Sequence, residues 1–488
     1  MIRSLLVLGL LALSSPPKSQ AQIPLQNIAY ADLHNHTFAD WAFGGGWHQG
    51  NAFMKMEQIY RACGPGESPS WLTKALGSIV RAEVAAFLSY GECLSKEMAR
   101  PDWSTLNRHQ SWADSLRKAT ETGLKLMVVS FVNNDMLCGL IPESRQKYAG
   151  CDDMVAVEKQ LEQFKKFDQK YDFIEMATSP SHARKIVDSG RLAAVLSIEV
   201  EDIFGKEKLD QALQRYYEKG IRTFQPIHMF TNRFGGPAVY MPILNFAQAL
   251  RSYRKGTGFN FHESTETNKI QKNILGLSQE GKTLIGKMVD RGFLIDVAHM
   301  SEKAVRDVLA VTKARGNYPI YVSHGHFREV MKPPRGTWEK ATDLPLAKEI
   351  AKSGGIFGVR TSPENTNFVQ GNPVANDCQG STKSFAQQLY WAKKHGIPVA
   401  YGSDLNGFIR MTKPRFGGVV DSEGCKTPGA IGTDFDKTGL GQVAQLSDMM
   451  MDLRKIKAST ESLEQSAYKY IEMWEKAWKA RGQTKQSL

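Results

Sequence analysis

The stretch Ser278-Gln279-Glu280-Gly281-Lys282-Thr283-Leu284-Ile285-Gly286-Lys287-Met288-Val289-Asp290-Arg291-Gly292-Phe293-Leu294-Ile295-Asp296-Val297-Ala298-His299-Met300-Ser301 decides the fold. Ser278 offers a side-chain oxygen to the free amides of a helix start. Leu284, Ile285, Met288 and Val289 then fall on one face of that helix. Gly292 stops it, and the mostly apolar run 293–298 follows at once, as a buried strand does. The pattern repeats immediately. Ser301 caps a second helix carrying Val305, Val308, Leu309 and Thr312, Gly316 ends it, and Pro319-Ile320-Tyr321-Val322-Ser323 forms the next run. Helix, strand, helix, strand with short loops is the unit of a parallel sheet with crossover helices.

Working outward, eight strands are expected at 28–33, 124–132, 191–198, 221–227, 293–298, 319–323, 355–359 and 398–403. Eight suit closure, so the expected fold is α/β, a (β/α)8 TIM-type barrel. It carries a large helical insertion after strand 1 (37–120, with Gly44-Gly45-Gly46 and two cysteines) and a helical C-terminal segment. A second long excursion, 229–275, is expected at the same end of the barrel. The division is a signal peptide over 1–21, the barrel over 22–440, and closing helices over 441–488, where Leu463, Tyr468, Ile471, Trp474 and Trp478 recur at helical spacings.

Residues 1–21 have the form of a secretory signal: Arg3, an apolar stretch from Leu5 to Leu13, and Ser19-Gln20-Ala21 as a small-x-small cleavage site. No later stretch approaches 18 apolar residues, so no integral membrane segment is expected after signal removal. A secreted or periplasmic location follows. The six cysteines (Cys63, Cys93, Cys138, Cys151, Cys378, Cys425) match no zinc-finger spacing and read as disulfides; fifteen complete connectivities are open, and Cys138–Cys151 is favoured because it would staple a short loop. The formal charge is +12, and the leader contributes Arg3 and Lys18 to it. Its lysines and arginines are spread along the chain without a basic stripe, which argues for a solvated surface and against a nucleic-acid partner. A homodimer is compatible with the sequence.

Polar residues at the ends of barrel strands face the catalytic mouth. Six metal-capable side chains stand there: His34 and His36 after the first run, Glu199 after the third, His299 and His324 after the fifth and sixth, and Asp404 closing the eighth. The spacing of His34-x-His36 puts both rings on one side of a strand. Glu199 and Glu201 share a face by the same rule; Glu199, nearer the apolar run, is the expected bridge between cations, with Glu201 in a salt bridge at the rim. His326 is an alternative to His324, and Asp404 alternatively caps a turn. Four imidazoles and two carboxylates at one mouth point to a divalent-metal hydrolase.

Several of these stretches resemble the membrane (renal) dipeptidase family of the amidohydrolase superfamily. They are Gly276-Leu277-Ser278-Gln279-Glu280-Gly281, the run Met288 to Ser301, Val322-Ser323-His324, Tyr401-Gly402-Ser403-Asp404-Leu405-Asn406-Gly407, Ile198-Glu199, and Pro226-Ile227-His228 with Asn232. Over about 185–410 the resemblance is close. It implies an exported binuclear-metal hydrolase of dipeptides or related small amides, with two divalent ions, zinc by family habit. His34, His36 and Glu199 would hold one ion, and Glu199, His299 and His324 the other. Asp404 would orient a metal-bridging hydroxide and shuttle its proton, and His228 would stabilise the oxyanion. Arg335, eleven residues after His324, would clamp the substrate carboxylate. Two features depart from the family: the first strand has His-x-His where His-x-Asp is usual, and the interval from His36 to Glu199 is much longer. Asp32-Leu33-His34-Asn35-His36-Thr37 also resembles the opening of the polymerase-and-histidinol-phosphatase phosphoesterases, but Asp404-Leu405-Asn406 lacks the histidine that closes their metal set. A catalytically silent exported binding protein is the third reading.

Overall fold

The computed structural model describes residues 27–481 apart from 46, 56–100, 140–142, 144–145, 241, 257–263, 268, 416–424 and 426–429. Eight strands form the barrel: β1 (Tyr30–Asn35), β2 (Leu124–Val132), β3 (Leu192–Glu199), β4 (Ile221–Gln225), β5 (Leu294–Asp296), β6 (Ile320–Gly325), β7 (Phe357–Arg360) and β8 (Val399–Gly402). Each pairs in parallel with the next in sequence, and β8 pairs back to β1 at Tyr401 and Asp32, so the sheet closes. A short accessory strand, Ile174–Met176, also pairs with β3. The chain is a (β/α)8 barrel.

The continuous apolar runs follow from this closure. Every residue of β3 is buried, because one face meets the barrel interior and the other meets helices. The helix Gln279–Arg291 starts where Ser278 accepts from the Gly281 amide and ends at Gly292, whose φ of 77° is the left-handed cap position. Its four apolar positions, Leu284, Ile285, Met288 and Val289, are fully buried. Burial of side chains of this size stabilises by about 1.5–3 kcal/mol each. The next helix, Glu302–Lys313, starts where Ser301 accepts from the Ala304 amide, and it buries Val305, Val308, Leu309 and Thr312.

The C-terminal helix Ser466–Ala480 lies against the end of the barrel where β1 begins. Ser466 Oγ accepts from the Ala31 amide at 2.8 Å, the Ala467 amide donates to Ala29, and Tyr470 meets Tyr321 edge-on at 5.6 Å. Leu463, Ile471 and Trp474 are fully buried, whereas Tyr468 and Trp478 are only partly covered.

The opposite end carries the long excursions. Between β1 and β2 the described residues include two 3-10 turns, Ala39–Trp41 and Phe43–Gly45, and the helix Ala113–Glu121. Residues 1–21, read above as a signal peptide, and Gly46, Cys63 and Cys93 lie outside the described residues. After β4 come a helix, Pro242–Arg254, and a hairpin of Ser264–Thr267 with Ile270–Asn273. Arg251 pins that helix over the mouth by pairing with Asp135 (2.8 Å) and Asp202 (2.9 Å), which follow β2 and β3. Disulfides join Cys138 to Cys151 and Cys378 to Cys425. Among the described residues no helix is long and apolar enough to cross a membrane.

Candidate metal centre

The exits of β1, β3, β5, β6 and β8 deliver His34, His36, Glu199, His299, His324 and Asp404 to one buried cluster. Glu199 is its middle. One carboxylate oxygen lies 2.9 Å from His34 Nε2 and 3.4 Å from His36 Nε2; the other lies 3.6 Å from both His228 Nε2 and His299 Nε2. Gln225 donates to that second oxygen at 2.7 Å and fixes the carboxylate plane. His299 Nε2 and His324 Nε2 are 2.8 Å apart. Asp404 Oδ1 lies 3.3 Å from His36 Nε2, and its Oδ2 pairs with Arg360 at 2.9 Å. Three sets, His34–His36–Asp404, His34–Glu199–His324 and Glu199–His228–His299, each bring ligand atoms within 4.8 Å of one another.

The arrangement suits divalent cations on grounds beyond proximity. His36 Nδ1 sits 3.0 Å from the Ser130 carbonyl, which can only accept, so this nitrogen carries the proton and Nε2 presents a lone pair to Glu199 and Asp404. His324 Nδ1 is likewise held by Ser323 Oγ at 3.0 Å. Metal-binding histidines are typically oriented through the second nitrogen in this way. His34 Nε2 is buried without a hydrogen-bond partner of good geometry, although Glu199 is close. His299 and Asp404 have positive φ, 64° and 59°, a conformation costly for residues with a Cβ and concentrated at functional sites. The Ala238 amide bonds to the His299 carbonyl and the Asp404 amide to that of His34, which holds these turns.

The electrostatics divide the cluster. Burial pushes His299 down, with Lys340 and His228 adding to it; burial also pushes His324 down, with His34 and Lys340 adding, so both are neutral donors. Burial opposes the charge of His34 too, but Glu199, Asp404 and Asp296 outweigh it and raise the ring to about 9. Glu199 is held well below the carboxylate range: burial works against it, and His34, His228 and His36 prevail. Asp404 is lowered as well, Arg360 and the two β1 histidines overcoming burial.

Other expected residues fall in different places. His228 stands beside the cluster, Nδ1 2.8 Å from Glu201 Oε1. Glu201 is not at the rim. It is fully buried, accepts from Asn134 and from the Met229 and Phe230 amides, and lies beneath His228 because the chain turns inward once β3 ends. His326, the alternative to His324, faces another group, with Nε2 3.5 Å from Glu364 and Nδ1 3.4 Å from Gln388. Arg335 lies over the Trp338 ring, and its Nε pairs with the same Glu364.

Two basic side chains in the site carry no role in the sequence reading. Arg360 ends β7, and the rule that polar strand ends face the mouth applies to it as it does to Asp404. Lys340 comes from the loop after β6, where nothing in the sequence distinguishes it from a solvated lysine. Its Nζ lies 2.7 Å from His299 Nε2 and 3.4 Å from His324 Nε2.

Comparison with known proteins agrees with this picture. Residues 256–467 match the family model for membrane dipeptidase (peptidase family M19), a span that includes His299, His324, Lys340, Arg360 and Asp404. The "Uncharacterized protein in pqqA 5'region" of Klebsiella pneumoniae is 30% identical over 34% of this chain and 49% of its own length. Dipeptidase verJ of Clonostachys rogersoniana is 22% identical over 38% of each chain. The chain thus spans about half the length, or less, of these curated relatives. The probable dipeptidase PvdM from Pseudomonas aeruginosa superposes with a TM-score of 0.52 at 16% identity, covering 76% of this chain and 90% of that one, a likeness of fold. Residues 256–467, which form the second half of the barrel, are thus similar to the membrane dipeptidase family.

Proposed function

We propose that this chain is an exported metal-dependent dipeptidase. The observation that carries the reading is the convergence of four barrel-end imidazoles on Glu199, with ring nitrogens oriented from behind. His34, His36 and Glu199 would hold one divalent ion, with Asp404 alongside; Glu199, His299 and His324 would hold a second. When bound, such ions would supply a water that ionises near neutral pH.

The side chains account for the rest. Asp404, kept ionised by Arg360, accepts the proton of the attacking water and returns it to the leaving amine. His228, whose ring is pushed down by burial but raised further by Glu201 and Glu199, donates to the oxygen of the tetrahedral intermediate. Arg335, with its Nε edge on Glu364, receives the substrate's C-terminal carboxylate. The two described disulfides suit an oxidising compartment, secreted or periplasmic.

The test is a panel of dipeptides and phosphoesters assayed on purified protein with and without added zinc, alongside metal analysis. Zinc-dependent dipeptide cleavage, lost in a folded His299→Ala variant, is the expected result. Metal-loaded protein that leaves every dipeptide intact would overturn the reading, and phosphoester cleavage would replace it.

A further inference from the structure

Lys340 is aimed into the centre by its neighbours. Glu339, 4% exposed, is fixed by three backbone amides: Val239 (2.8 Å) and Asn273 (2.9 Å) on one oxygen, Glu302 (2.9 Å) on the other. The Glu339 amide donates back to Val239, and the Ala341 and Thr342 amides bond to Trp338 and His326. With the backbone held on both sides, the Lys340 chain runs past the Tyr240 ring (5.1 Å from Nζ to its centroid) to His299 Nε2 and His324 Nε2.

Those two nitrogens are the ones assigned above to the second cation. Each imidazole nitrogen has one lone pair, so it accepts from the Lys340 amino group or ligates a metal, not both. The charge balance points the same way. Among the described residues, the carboxylates within 4 Å of the ring nitrogens of His34, His36, His228 and His299 are Glu199, Glu201 and Asp404. Arg360 already draws on Asp404. Two dications beside Arg360 would leave the pocket net positive, at a depth where water screens poorly.

Resting on the metal-centre reading, we propose that Lys340 is an internal competitor for the second cation. The chain holds one divalent ion firmly on the His34–His36–Glu199–Asp404 side. A second ion enters at His299 and His324 only by displacing the Lys340 amino group from their ring nitrogens.

The experiment is zinc titration of metal-free full-length protein against a chromophoric chelator, with stoichiometry checked by elemental analysis. The wild type should take up one equivalent tightly and a second at least about tenfold more weakly. Lys340→Met should tighten the second step by about tenfold or more and leave the first unchanged. Lys340→Arg, which keeps a long side chain with N–H donors, should leave the second step weak; circular dichroism checks that both variants fold. Two equivalents of matched affinity in the wild type would overturn the proposal without touching the dipeptidase reading, as would an unchanged second step in Lys340→Met. Protein that takes up no zinc at all would sink both.

Discussion

Ser403 donates its hydroxyl to Asp32 Oδ2 at 2.5 Å and its amide to Asp32 Oδ1 at 2.8 Å, so one buried carboxylate joins the exits of the first and last barrel strands. The same carboxylate accepts from the His34 amide and the Asn35 side chain. Asp32→Ala is expected to cost about 3 kcal/mol, the scale for losing buried bonds to a charged group, and to loosen His34 and Asp404 together. Denaturant unfolding and zinc content measure the two effects. Wild-type values for both would show that the joint is dispensable.

Under the proposed mechanism Glu201 acts through His228, whose Nδ1 it faces at 2.8 Å. Glu201→Gln keeps the shape and removes the charge facing Nδ1, so kcat should fall by about 10- to 100-fold, the usual effect of losing such a supporting group, with KM and bound metal nearly unchanged. Steady-state kinetics with metal analysis tests this. A fall in metal content equal to the fall in rate would instead mark Glu201 as part of the metal site.

Glu364 gives the fold a defined acid limit. Burial pushes its carboxyl up, but His326, Arg335 and Ser362 hold it down at about 2. An unfolded glutamate titrates near 4.3. A depressed carboxyl stabilises fully above its unfolded value and loses that contribution as pH falls toward 2, about 3 kcal/mol in all. Glu364→Gln should flatten the stability profile over that window and lower stability at pH 6. Unfolding curves at pH 3 and 6 decide it; parallel profiles for variant and wild type would mean the pair contributes nothing.

Arg335 is tested from the substrate side. Dipeptides with an amidated C-terminus should show KM raised by about tenfold or more, the loss of a charge-assisted bidentate contact. Equal kinetics for free and amidated forms would remove the clamp.

How much of this was legible in the sequence depends on what each residue's neighbours encode. The eight strands are visible because a closed parallel barrel buries both faces of every strand, leaving runs such as Leu192 to Ile198 with no polar interruption but Ser197. Observed ends lie within two residues of those expected, β2 agreeing at both ends, and His34 proves to lie within β1 while His36 follows it. Asp404 was found by its position at a strand end, and the same rule applied to β7 would have found Arg360. Glu201 was placed at the rim because strand alternation was carried past Glu199, where the strand has already ended. Lys340 had no local signal at all. Its aim is set by Glu339 and by amides from three distant segments, Val239, Asn273 and Glu302, which no short window contains.

The left-handed turns at His299 and Asp404 carry a consequence for anyone evolving this protein. Glycine at either position would relax the backbone by about 1–2 kcal/mol while deleting a side chain of the centre. Selection for heat resistance alone would therefore enrich inactive clones at these two codons, so a thermostability screen needs an activity gate from its first round.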